Sequence, residues 1–157
     1  MKKQKNHDIT KISKNENETF NVAKELALKI SDPLLIGLQG ELGSGKTIFA
    51  KGIAEGLNVK ELITSPTFLG VNEYYSGKLP FIHMDFYKKV VPREIIRSYL
   101  TKGSVVLIEW IENFANVFKE NLNLNISVYI QSLKDKEGNI LNNERHIAID
   151  FVDYKEF

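Results

Sequence analysis

Gly40-Glu41-Leu42-Gly43-Ser44-Gly45-Lys46-Thr47 fits the phosphate-binding pattern G-x-x-x-x-G-K-[ST] at every fixed position. The apolar run Leu34-Leu35-Ile36-Gly37-Leu38 comes just before it and reads as a buried strand. Phe49, Ile53 and Leu57, spaced four apart, follow it as one face of a helix. Strand, glycine loop and helix in that order make an anion cradle. Backbone N–H groups of the loop turn inward, and the helix N-terminus adds partial positive charge. Lys46 brings a full positive charge for the outer phosphates, and the Thr47 hydroxyl suits the magnesium that travels with a nucleoside triphosphate. A glycine-rich turn between strand and helix is also a common plain connection. The complete pattern and both flanking elements favour the cradle.

Outward from the loop, the chain reads as alternating α/β. Asn15 or Asn17 can cap a first helix whose apolar face is Phe20, Ala23, Leu26, Ala27 and Ile30, ended by Asp32-Pro33. The helix after the loop spans about 46–57, and Asn58 is its stop. Thr67 to Tyr75 has strand composition, Ser76-Gly77-Lys78 is a turn, and Leu79 to Met84 returns, which predicts an inserted hairpin. Pro80 suggests an edge position for the return strand. Pro92 opens a short helix carrying Ile95, Ile96, Tyr99 and Leu100, and Gly103 ends it. Ser104-Val105-Val106-Leu107-Ile108 is the pattern of a strand buried on both faces. Alternation over Leu124–Ile130 and Ile147–Phe151 predicts a C-terminal antiparallel pair joined by a long, mobile connection around 135–139. The expected fold is α/β, a P-loop nucleotide-binding architecture with a mainly parallel central sheet and antiparallel additions.

The bulk composition narrows the function classes. A length of 157 residues suggests a single domain over 1–157, with 1–14 a flexible tail that includes the basic Lys2, Lys3 and Lys5. Lys plus Arg number 21 against 20 Asp plus Glu, which argues against a dominant nucleic-acid surface and against DNA as partner. The chain has no cysteine, hence no disulfide framework and no thiolate metal site, in keeping with a cytoplasmic protein. No apolar run approaches a membrane span. His7, His83 and His146 lack metal-ligand spacing.

Ligands of open α/β sheets sit beyond the carboxyl ends of the strands. Glu109 stands at the end of strand 104–108, as the acid that holds magnesium directly or through water. Its bland reading is a solvated strand-end carboxylate; the apolar run before it favours the site. Asp85, after Phe81-Ile82-His83-Met84, reads equally as a second carboxylate near the ion or its water and as a turn aspartate. Thr67 after Ser65-Pro66 reads as a switch-like hydroxyl near the terminal phosphate or as part of a plain turn. Trp110, the single tryptophan, suits packing or stacking near the nucleotide. Arg145 is a candidate nucleotide contact, against the reading of a solvated strand residue. His83, Tyr74, Tyr75 and Tyr87 read as packing.

Five segments taken together resemble the bacterial TsaE family, small ATPases of tRNA threonylcarbamoyladenosine synthesis. They are the 40–47 loop, Ser65-Pro66-Thr67-Phe68, Glu73-Tyr74, His83-Met84-Asp85-Phe86-Tyr87 and Ile108-Glu109-Trp110. The resemblance runs from about Glu16 to Phe151. It implies a P-loop fold, ATP and Mg2+ as ligands, and weak intrinsic hydrolysis. It also implies partnership with a TsaB–TsaD-like complex, in which TsaD transfers the group to adenosine 37 of ANN-reading tRNAs and this subunit meets tRNA only through the complex. By the same resemblance Lys46, Thr67, Asp85 and Glu109 are the catalytic set, and Thr47, Glu109 and Asp85 the magnesium set. Glu16, Trp110 and Arg145 join the 40–47 loop around the nucleotide. The chain departs from the family pattern at Lys88, where arginine is usual, at Ile111, where proline is common, and in a short 89–101 segment.

The competing readings are a P-loop small-molecule kinase, for which Arg93 and Arg97 would supply a lid, and a nucleotide-gated scaffold that hardly hydrolyses. A GTPase would need an Asn-Lys-x-Asp motif, which the sequence lacks.

Overall fold

The computed structural model describes residues 7–114 and 123–152. Its elements in chain order are β1 (Ile9–Ser13), α1 (Glu16–Leu28), β2 (Leu35–Gln39), α2 (Lys46–Gly56), β3 (Val71–Tyr74), β4 (Phe81–Asp85), α3 (Arg93–Thr101), β5 (Val105–Glu109), a 3-10 turn (Ile111–Phe114), β6 (Ile126–Lys134) and β7 (Ile140–Phe151). The strands form one seven-stranded sheet in the order β1-β7-β6-β2-β5-β4-β3. The central strands β6, β2, β5 and β4 run parallel, while β3 adds antiparallel at one side and the β7–β1 pair antiparallel at the other. This is the expected P-loop α/β architecture.

Alternation along the strands sorts the core into two layers. Ile36, Leu38, Val105 and Leu107 pack under α1 and α2, against Ala23, Leu26, Phe49 and Ile53. Leu35, Val106, Ile108, Ile82 and Met84 face the other way, against Ile96 of α3 and Ile111 and Phe114 of the 3-10 turn. Phe81 belongs to the first layer. His83 and Asp85 on β4, and Glu109 on β5, follow at two-residue steps and so emerge on the α2 side.

Helix boundaries follow from local chemistry. The Asn15 side chain accepts from the Glu18 N–H at 2.9 Å and caps α1, which settles the choice between Asn15 and Asn17. Asn58 takes a left-handed φ of 64° after α2, with its N–H on Glu55 O and the Val59 N–H on Ala54 O. That double closure satisfies the last carbonyls of the helix. The helices α1 and α2 touch backbone to backbone. A Cβ added at Gly52 would lie 2.3 Å from Phe20 O, and one at Gly56 2.5 Å from Ala27 Cβ.

Several expectations are corrected. Residues 9–13 are not tail: β1 pairs with β7 from Ile9↔Ile149 to Ser13↔Arg145 and buries Ser13. Lys2, Lys3 and Lys5 lie outside the described residues. The return strand with Pro80 before it is not an edge. Pro80 precedes β4, where its missing N–H costs no ladder bond, and its carbonyl accepts from Val105 N. The edge is β3, which is shorter than predicted because Thr67–Leu69 are turn. The 135–139 connection is a closed turn rather than a long mobile one, held by Asp135 accepting from the Glu137 and Asn139 amides at 2.9 Å. Among the described residues no helix is long and apolar enough to cross a membrane.

Candidate nucleotide site

The 40–47 loop connects β2 to α2 through three glycines at positive φ, namely Gly40 (151°), Gly43 (76°) and Gly45 (107°). At Gly40 the requirement is also spatial, since a Cβ there would sit 2.2 Å from Ile130 O and 2.6 Å from Ser44 Oγ. Gly45 is the left-handed N-cap of α2 and carries no side-chain cap, so the first amides of the helix remain available to an anion. Lys46 folds back over this loop. Its Nζ donates to Gly40 O (2.7 Å) and Glu41 O (2.9 Å) and lies 3.9 Å from the Trp110 ring centroid. Burial pushes the Lys46 ammonium below the ordinary lysine range, with Glu109, Glu112, Glu41 and Asp85 pulling the other way.

Thr47, one residue further, donates its hydroxyl to Glu109 at 3.0 and 3.2 Å from the two carboxylate oxygens. Glu109 is buried, and its Oε1 also meets His83 Nε2 at 2.8 Å. A second small network lies beside it. Thr67 donates to Asp85 Oδ2 at 3.0 Å, the Ser65 hydroxyl lies 2.6 Å from Thr67 Oγ1, and Asp85 Oδ1 accepts from the Tyr87 N–H at 2.8 Å. The strand ends that carry the two acids are joined as well: Asp85 and Glu109 are register partners, and Phe86 N–H donates to Glu109 O.

A cavity of about 460 Å3 opens here. Its walls include Leu42, Gly43, Gly45, Lys46 and Thr47 of the loop, together with Glu16, Thr67, Asp85, Glu109 and Trp110, all foreseen from sequence. Ile48, Ser65, Tyr87 and Lys88 line it too and were not foreseen as site residues. Tyr87 packs on Trp110 with ring centroids 4.9 Å apart. Lys88 reaches over the exposed Phe68 ring at 5.7 Å. Trp110 itself has φ 59°, a left-handed conformation that a bulky residue rarely adopts, where the chain leaves β5 for the 3-10 turn.

Two expected contacts are placed elsewhere. Arg145 does not line the cavity; its Nε donates to Ser44 O (3.0 Å) and its Nη2 to Gly43 O (3.3 Å), on the outer side of the loop. The Glu41 side chain also turns away, accepting from the Ser132 N–H of β6 at 2.8 Å. Partial burial works against its charge, yet the Ser132 hydrogen bonds, its own amide and the Arg145 guanidinium together hold the carboxyl below the usual glutamate range. Gly40 and Ser44 shape the loop from beneath, and the Ser44 hydroxyl is buried without a protein partner. His83, expected only to pack, is packed and also grips Glu109. The hint in sequence was its place two residues before Asp85 on an inward-facing strand.

The donor set suits a triphosphate with a hard divalent ion. The loop offers a glycine-lined cradle, open helix amides and a buried ammonium. A hydroxyl and a carboxylate meet at its rim. Among the described residues no group of three His, Cys, Asp or Glu side chains forms a metal centre of its own.

Comparison with known proteins identifies the family. A family model described as threonylcarbamoyl adenosine biosynthesis protein TsaE matches residues 13–140. The tRNA threonylcarbamoyladenosine biosynthesis protein TsaE of Bacillus subtilis is 38% identical over 110 residues, which are 69% of this chain and 67% of that one. The protein of the same name from Rickettsia felis is 31% identical over 150 residues, covering 90% and 85%. A crystal structure of Bacillus subtilis YdiB superposes with a TM-score of 0.71 at 29% identity, over 92% of this chain and 85% of that one. With its P-loop, its paired strand-end acids and a family match over most of its length, the chain belongs to the TsaE family.

Proposed function

We propose that this protein binds ATP with magnesium in the 460 Å3 cavity and hydrolyses it slowly. Hydrolysis serves the formation of threonylcarbamoyladenosine at position 37 of ANN-reading tRNAs, in the cytoplasm, with a TsaB–TsaD-like complex. The observation that carries this reading is the Thr47–Glu109 hydrogen bond at the rim of the P-loop, beside Lys46. It brings together the hydroxyl, the acid and the ammonium that triphosphate chemistry requires. The names of the relatives, which are tRNA threonylcarbamoyladenosine biosynthesis proteins, support the pathway.

The division of labour follows from the contacts. Loop amides and Lys46 hold the phosphates and offset the charge that develops on them. Thr47 and Glu109 are the residues that would hold magnesium, which when bound neutralises the outer phosphate oxygens. Asp85, with Thr67 on one oxygen and the Tyr87 amide on the other, fixes the Thr67 hydroxyl at the cavity wall. No arginine is among the described residues lining the cavity, so turnover by the lone protein is slow and partners accelerate it. The kinase reading is less favoured on the same ground. Arg93 and Arg97 belong to α3, which packs on the sheet face opposite α2, and neither lines the cavity.

Reconstitution with the two partners tests the proposal: phosphate release and repeated tRNA modification should rise together, with no phosphorylated acceptor. Lys46→Ala should abolish both, and a deletion strain should lack the modified nucleoside by mass spectrometry. Normal nucleoside levels in that strain would refute the pathway. Modification that persists without phosphate release would favour the scaffold.

A further inference from the structure

One rung of the sheet touches the P-loop at separate points. Ser13 of β1, Arg145 of β7 and Ser132 of β6 are register partners across three strands. From this rung the Ser132 N–H holds the Glu41 carboxylate near the start of the loop. The Arg145 guanidinium holds the Ser44 and Gly43 carbonyls in its middle. The Ser13 hydroxyl lies 2.7 Å from that of Thr19, whose methyl is the nearest neighbour of a Cβ built at Gly45.

We propose that this rung is a brace that sets the P-loop for phosphate, and that Arg145 is a positioning residue acting through the loop backbone rather than on the nucleotide. No peptide bond among the described residues is cis. In a trans peptide the C=O and the next N–H point in opposite directions. With Ser44 O drawn outward to Arg145, the Gly45 N–H is turned to the other side, toward the helix N-terminus and the cavity that Gly45 lines. A cation on the oxygen end of that peptide also polarises its N–H end, which strengthens the N–H as a donor to an anion. The guanidinium is anchored in turn: its Nη1 donates to Glu144 O at 3.0 Å, leaving Nε and Nη2 aimed at the loop. Lysine, a single point charge, cannot reproduce that fork. Because Ser132 and Arg145 belong to the same β6–β7 hairpin, a disturbance of that rung reaches the phosphate cradle.

The proposal rests on the nucleotide reading for its purpose, but its test does not. Hydrogen–deuterium exchange of the nucleotide-free full chain is compared for the wild type, Arg145→Met and Arg145→Lys, over peptides spanning Gly40 to Phe49. Loss of two hydrogen bonds from a charged donor should speed exchange there on the order of tenfold in Arg145→Met, with Arg145→Lys between. Mg–ADP affinity by calorimetry should fall in the same order. Unchanged exchange in Arg145→Met overturns the brace; if affinity falls nonetheless, the guanidinium acts on the nucleotide directly. If Arg145→Met does not give the wild-type circular dichroism spectrum, Arg145→Lys alone decides by the same exchange criterion. A wild type that binds no nucleotide would sink the ATP reading, while the exchange comparison would still judge the brace.

Discussion

His83 Nε2 and Glu109 Oε1 stand 2.8 Å apart at a place where the histidine is fully buried and the glutamate nearly so. In the Nε2–H tautomer the imidazole donates to the carboxylate. His83 Nδ1 is buried without a partner. The side-chain hydrogen bond of the imidazole is thus to Glu109, steadying the carboxylate whose oxygens also receive Thr47.

Replacing His83 by Leu should leave the carboxylate in place but free to turn. Mg2+-dependent nucleotide binding is expected to weaken by about 10–100-fold, the usual effect of removing a residue behind a metal-holding group. His83→Gln, whose amide can still donate, should retain part of the affinity. Titration of Mg2+ against nucleotide binding checks this, and equal Mg2+ dependence in all three proteins would contradict it.

Trp110 is the chain's single tryptophan, and the Lys46 ammonium lies over its ring. Under the proposed function, nucleotide phosphates would compete for that ammonium. Intrinsic fluorescence should change on addition of ATP and Mg2+ and saturate at one equivalent. Lys46→Met should show a different starting emission and no such response.

Glu41 yields a pH prediction. Its folded pKa lies below the usual glutamate value, so its contribution to stability is fully present above the unfolded pKa and is lost as pH falls through the folded one. Glu41→Gln should lower stability at pH 7 by about 0.5–1 kcal/mol, a charged hydrogen bond discounted for exposure. The gap should close as pH drops below about 4.5. Urea melts of both proteins at pH 7 and in acid read it directly.

Gly52→Ala tests the contact between α1 and α2. In an exposed helix this change stabilises by about 1 kcal/mol. Here the new methyl meets Phe20 O at 2.3 Å, a backbone atom that cannot rotate away. The net effect should be a loss of about 1–3 kcal/mol, as for other overpacked contacts. An increase in denaturation midpoint would show that the helices separate freely.

Much of this was legible because period and chemistry agree. The 40–47 loop, the continuous apolar run of β5 and Glu109 at its end carry their meaning within a few residues. Asp85 and Thr67 needed the family resemblance, since their hydrogen bond joins a turn to a strand 18 residues away. The contacts of Arg145 with the Ser44 and Gly43 carbonyls and of Glu41 with the Ser132 amide were not legible, because their partners lie about 90 to 100 residues away in sequence. His83 was half read, because burial and hydrogen bonding are indistinguishable in a single inward-facing position. The tail was overextended because Ile9–Ser13 has no partner in the local sequence; β7, which pairs with it, comes more than a hundred residues later.

The glycine-to-alanine seam between α1 and α2 has a mechanical consequence. With Gly52 and Gly56 of α2 pressed against α1, any slide or roll of α2 would be resisted by backbone contact at the phosphate end of the site. If the site takes ATP as proposed, a motion that tells ATP from ADP would fall to the opposite wall, where Thr67 hangs on Asp85 and the side chains of Phe68 and Leu69 are exposed.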